Sequence, residues 1–175
     1  MDAEHFEQVA MPLFSPLYDF AYWLTGNRDD AEDLVQEAYV RALRAFASFE
    51  LGTNLHAWMF SILRNTFLTS RTGMATRNTV SLEDQARMDI ENVESPDDTP
   101  DVVLAKLADR RCLEHALRRL SISFREVIVL CDIQEMAYRD IAETLGIPIG
   151  TVMSRLSRAR KALRVALSQP GEGGG

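Results

Sequence analysis

The sequence predicts an all-α fold: two small helical bundles joined by an acidic flexible linker, with a helix-turn-helix in the second bundle. Three observations lead there. Apolar residues recur at three- and four-residue spacing in two separate stretches, and strand-like alternation is absent. Between those stretches the chain turns polar and acidic and loses its aromatics, with Pro96 and Pro100 near its end. Towards the C-terminus a Gly-Ile-Pro turn leads into a strongly cationic helical pattern. The expected division is a first domain over 1–72, a linker over 73–101, a second domain over 102–168 and a flexible tail over 169–175.

In the first block, Ser15 and Pro16 read as an N-cap and first helical residue, opening a helix to about Thr25. Gly26 and Asn27 break the chain. The next helix carries Ala31, Leu34, Val35, Ala38, Ala42, Ala45 and Phe49 on one face. Its start holds Asp29, Asp30, Glu32 and Asp33, which suit the positive end of the helix dipole. After a turn at Glu50-Leu51-Gly52-Thr53, Asn54 caps a third helix with Leu55, Trp58, Met59, Ile62, Leu63, Thr66 and Phe67 on one face. On that stripe Trp58 reads as core rather than as a stacking platform.

The second block predicts a helix over roughly Val102 to Leu120 and another over Phe124 to Asp132, after the capping serines Ser121 and Ser123. Two more follow at Tyr138–Leu145 and Ile149–Leu167, and this pair has helix-turn-helix form. Ile141, Ala142 and Leu145 face inward on the first helix, and the small Ala142 allows two helices to cross closely. Gly146 can take the left-handed conformation that ends a helix. Ile147 plugs the turn, and Pro148 discourages continuation. Val152, Leu156, Ala159 and Leu163 form the buried stripe of the second helix. Thr151, Ser154, Arg155, Arg158 and Lys161 then point outward, the composition expected of a recognition helix in a major groove. Its first residues would read base edges and its later cations would bind phosphates.

The formal net charge of −7 looks wrong for a nucleic-acid binder until its distribution is examined. Residues 81–101 hold Glu83, Asp84, Asp89, Glu91, Glu94, Asp97, Asp98 and Asp101 against Arg87 alone, which accounts for the whole of it. Residues 149–164 contain Arg155, Arg158, Arg160, Lys161 and Arg164 and no acid. Such a cationic segment is the footprint of phosphate contact.

Several function classes are disfavoured. The sequence has no Ser–His–Asp pattern, no phosphate-binding glycine loop and no metal-ligand spacing, so no catalysis, cofactor or metal is expected. The carboxylates at 29–33 read as a charged first turn rather than a Mg²⁺ cluster. Cys112 and Cys131, far apart in helical patterns, read as reduced buried thiols. No apolar run is long enough to span a bilayer, and the start MDAEHFEQVA is unlike a signal peptide. A cytoplasmic protein without membrane insertion is the expectation.

The block Asp30-Ala31-Glu32-Asp33-Leu34-Val35-Gln36-Glu37, followed by Asn54-Leu55-His56-Ala57-Trp58-Met59 and Ile62-Leu63-Arg64-Asn65, closely resembles region 2 of extracytoplasmic-function sigma factors of the sigma-70 family. The segment from Tyr138 to Arg164 resembles region 4 of the same family. The resemblance covers about 5–72 and 102–166, with the two motifs in family order. It implies an alternative sigma factor that binds bacterial core RNA polymerase and directs promoter recognition. Asp33, Gln36 and Glu37 would dock on the clamp helices of the polymerase. Asn54, Ser61, Arg64, Asn65 and Arg71 would serve the −10 element and an unpaired base. Thr151, Ser154, Arg155, Arg158 and Lys161 would bind the −35 element as duplex. Met153 stands where many relatives carry a lysine. The acidic linker would thread the polymerase cleft or act as a solvated spacer, polymerase would perform the chemistry, and a cognate anti-sigma factor is an implied partner. Without the resemblance, a stand-alone helix-turn-helix regulator and a helical protein-interaction module remain as alternatives.

Overall fold

The computed structural model describes residues 3–74 and 110–169, with side chains outside 72–74. Most of the acidic linker, the start of the expected 102–120 helix and the last residues of the tail lie outside the described residues. Every regular element among the described residues is helical. Two compact units are distinguished: the first comprises the N-terminal helices together with residues 139–146, and the second comprises the remaining C-terminal helices.

The first unit is built from α1 (Ala3–Ala10), α2 (Phe14–Thr25), α3 (Arg28–Ala45) and α4 (Leu55–Met74), with 3₁₀ turns at Met11–Leu13 and Phe46–Ser48. Helices α2, α3 and α4 pack against one another. Leu17, Phe20, Ala21 and Leu24 of α2 meet the small stripe Ala31, Val35, Ala38 and Ala42 of α3 in a core closed by Met59, Phe60, Leu63 and Phe67 of α4. Alanines along α3 let its neighbours approach, since interaxial distance follows side-chain size at the contact. Phe20 and Phe60 stack across the core with centroids 5.4 Å apart, and burying each ring is worth about 1.5–3 kcal/mol.

Chain punctuation explains the helix limits. Gly26 ends α2 in the left-handed region at φ 72°. The side chain of Asn27 then accepts from the amides of Asp29 (2.8 Å) and Asp30 (3.2 Å), starting α3. Ser15, expected as an N-cap, instead lies inside α2. The chain arrives there already helical through α1 and the 3₁₀ turn, and the Phe14 amide bonds Met11, so the usual orphan donors of a helix start are partly satisfied. At the other end of α3 the winding tightens after Ala45. This turns Phe46 into the core and leaves Ala45 and Phe49 half-exposed, against the expected stripe. On α4 the buried arc likewise centres on Ala57, Phe60, Leu63 and Phe67, so Leu55, Trp58 and Ile62 are only half-buried.

The C-terminal helices are α5 (Arg110–Arg118), α6 (Ile122–Ile128), α7 (Tyr138–Leu145) and α8 (Ile149–Ser168), with one π-helical turn at Val129–Ile133. Within the second unit, α8 packs on α5 and α6. Leu117, Val127, Ile128, Leu156, Ala159 and Leu163 are buried there. Ser121 caps α6 by accepting from the Phe124 amide at 3.3 Å, whereas Ser123 is an interior, buried residue of that helix. Arg125 donates to the carbonyls of Leu117 (2.9 Å), Arg118 (3.1 Å) and Leu120 (3.2 Å), satisfying acceptors at the end of α5. No helix among the described residues is long and apolar enough to cross a membrane.

Candidate nucleic-acid interface

The turn between α7 and α8 is set by Gly146, whose φ of 66° lies in the left-handed region. Pro148 is extended, and its carbonyl accepts from Thr151 (3.0 Å) and Val152 (3.1 Å) to begin α8. Val152, Leu156, Ala159 and Leu163 are buried, as the periodicity predicts. On the first helix Ile141 and Leu145 are buried, but Thr144 takes the interior place expected of Ala142, which is half-exposed.

With that stripe inward, Thr151, Ser154, Arg155, Arg158 and Lys161 are all solvent-accessible to some degree. Three of them are linked. The Ser154 hydroxyl donates to the Thr151 carbonyl at 3.2 Å. Arg158 donates through Nε to the Ser154 carbonyl (3.2 Å) and through Nη2 to the Ser154 hydroxyl (3.1 Å). This ordered row places a guanidinium and a hydroxyl on one helix face, the groups that pair with base edges and phosphates.

Arg160 behaves differently from its cationic neighbours. It is buried, and its guanidinium donates to both Asp132 oxygens, at 3.1 Å from Nε and 2.7 Å from Nη2, and towards the Cys131 sulfur at 3.6 Å. The cationic segment therefore owes one of its charges to an internal ion pair. Burial pushes the Cys131 thiol up to about 11, with Asp132 adding to the rise, so the sulfur stays protonated near neutral pH. Cys112, expected to be buried, is exposed in the first turn of α5, ahead of that helix's first buried residue, Ala116.

On α4, Asn54 accepts from the Ala57 amide at 3.0 Å, the expected cap. Its Nδ2 also donates to Asp140 at 2.7 Å, within the same unit. His56 nearby has its pKa lowered, chiefly by burial, with Asp140 working in the opposite direction. Trp58, Ser61 and Asn65 stand three and four residues apart and so share one helix face with Asn54. Trp58 is half-exposed there and packs on Phe49 with centroids 4.8 Å apart. That departs from a core role and supplies an aromatic surface that periodicity alone misplaced. Arg64 lies on the flank of this row.

Arg71 falls elsewhere. Its guanidinium lies 5.6 Å from the centre of the Phe67 ring. It borders a cavity of about 420 Å³ among α2, α3 and α4, together with Asp30, Asp33 and Glu37. Glu37 also accepts from Arg41 at 2.9 Å. The expected polymerase-binding acids and one expected DNA-binding arginine thus share a groove, while Gln36 is exposed outside its lining. Among the described residues no group of three or more His, Cys, Asp or Glu is placed to hold a metal ion.

Two family models match the chain: Sigma-70 region 2 over residues 13–73 and Sigma-70, region 4 over residues 110–163. The ECF RNA polymerase sigma factor EcfG of Rhodopseudomonas palustris is 36% identical over 149 residues, covering 85% of this chain and 77% of its own length. The ECF RNA polymerase sigma factor SigE of Mycolicibacterium smegmatis is 34% identical over 93% of this chain, which spans 65% of that relative. The solved structure of the sigma factor RpoE from Bartonella quintana, in complex with the anti-sigma factor NepR, matches with a TM-score of 0.72 and 35% identity over 94% of this chain and 98% of its own. With both regions matched in order along one chain, it belongs to the extracytoplasmic-function RNA polymerase sigma factors of the sigma-70 family.

Proposed function

We propose that this sigma factor binds bacterial core RNA polymerase through residues 1–72 and reads promoter DNA at two separated surfaces. The observation that carries the proposal is the ordered Thr151–Ser154–Arg158 row on α8, directly after a left-handed glycine turn. A helix presented in this way enters a major groove with its first turns against the bases. In this reading residues 102–168 bind the −35 element as duplex, with Arg155, Arg158 and Lys161 supplying base and phosphate contacts.

The α4 face serves the −10 element. Asn54, Ser61, Arg64 and Asn65 offer polar groups beside the Phe49–Trp58 pair, and an unpaired base stacks on an aromatic side chain whatever its identity. The groove bordered by Asp30, Asp33, Glu37 and Arg71 takes the polymerase, its acids suited to a basic helical surface. Residues 73–101 act as the acidic connection. The chain works in the cytoplasm without cofactor and catalyses nothing itself, the chemistry belonging to polymerase. A cognate anti-sigma factor holds it inactive, a role supported by the RpoE–NepR likeness.

Footprinting of the holoenzyme on a cognate promoter tests the division. Arg158→Ala is expected to weaken upstream protection by about 1–3 kcal/mol, and Asn65→Ala to impair strand opening while upstream protection remains. Equal loss of both by either substitution contradicts it.

A further inference from the structure

Two of the exposed large apolar side chains of α8 stand near its start: Ile149 is 50% exposed and Met153 is 54% exposed, while Val165, 51% exposed, lies towards its other end. Isolated exposed apolar residues are ordinary on protein surfaces. This pair is not isolated, because the two stand four residues apart and so lie one turn above the other. They occupy the first half of the helix that follows the turn, where side chains reach base edges. Gly150, Ser154 and Ser157, their neighbours along the same helix, are all short residues. Arg155, Arg158 and Lys161 on the same helix supply the attraction to phosphates.

We propose that Met153, supported by Ile149, reads thymine in the −35 duplex by apolar contact with its C5 methyl group. The inference rests on the promoter-binding reading of α8. A major groove presents one apolar group, the thymine methyl, and it marks every A·T pair. Met153 carries no charge to draw it towards a phosphate and no donor to satisfy on a base edge. Its unbranched, polarisable chain adapts to a methyl at slightly different heights in the groove. The Ser154–Arg158 pair supplies polar contacts from the adjoining face. The helix would thus read hydrogen-bonding edges and methyl groups side by side.

The test uses holoenzyme assembled from the full chain and core polymerase. It first selects its upstream element from randomised duplexes. Each thymine of that element is then replaced by deoxyuridine, which lacks only the methyl. At one or two positions binding should fall about fourfold, the equivalent of ~0.8 kcal/mol for one buried methyl-sized group. Met153→Ala should erase the difference between thymine and deoxyuridine there, and Met153→Leu should keep it. Wild-type holoenzyme indifferent to every replacement overturns the inference while leaving promoter recognition intact. So does a Met153→Ala holoenzyme that remains equally sensitive. Failure to select any upstream element overturns the promoter-binding reading as well.

Discussion

Arg160 and Lys161 are neighbours in sequence with opposite duties. Lys161 remains accessible, while Arg160 is buried and forked onto Asp132. Removing one partner of such a pair leaves an uncompensated buried charge, so Arg160→Leu should cost about 3–5 kcal/mol in chemical denaturation. Replacing Asp132 by Asn together with Arg160→Met should recover much of that loss, while Lys161→Ala should leave stability nearly unchanged. A second residue-scale case is Tyr39, whose hydroxyl donates to the Ala10 carbonyl at 2.7 Å. Burial raises its pKa from 10.0 to about 12. The neutral phenol's contribution is complete below the unfolded value and is lost as pH rises from about 10 towards the folded value. Unfolding measured across that window should show a decline that Tyr39→Phe removes. A Tyr39→Phe protein with the same alkaline decline would assign it to other groups.

At the scale of elements, the turn before α8 is the most exacting joint. An alanine at 146 meets no neighbour within 4 Å, so its cost comes from the left-handed backbone alone. Gly146→Ala should destabilise by roughly 1–2 kcal/mol, and Gly146→Asn by less, because asparagine tolerates that region better. Thermal unfolding of the two variants reads the difference. The joint was legible in the sequence because Gly146 and Pro148 punctuate two strong apolar periodicities. The limits of α7 were read to the residue, and those of α8 nearly so. Legibility failed where helix joins helix without a break. The expected Ser15 cap lost its purpose once α1 and a 3₁₀ turn led straight into α2. The same tightening after Ala45 substituted Phe46 for Ala45 and Phe49 in the core. Trp58 was misplaced because a three-and-four pattern identifies a stripe but not its centre, and the buried arc of α4 lies to one side of it. Arg160 was missed because its partner, Asp132, belongs to a different helical segment.

For the molecule as a whole, the net charge of −7 conceals separate jobs for separate segments. The acids of 81–101 account for that total, and the cations of 149–164 stand apart from them along the chain. The family and its two regions were legible because each is a dense local motif and the two occur in order. The placement of Arg71 was less legible, since it borders the groove of Asp33 and Glu37 rather than the row of Asn54 and Asn65. At this scale the work of the chain is to make core polymerase initiate at specific promoters. Reconstituted run-off transcription tests it most directly, with purified chain, bacterial core polymerase and the DNA upstream of the chain's own gene alongside promoters selected from random sequence. A discrete transcript that requires the chain and weakens with Arg158→Ala is expected. No transcript from any template, together with no binding to core polymerase, would contradict it.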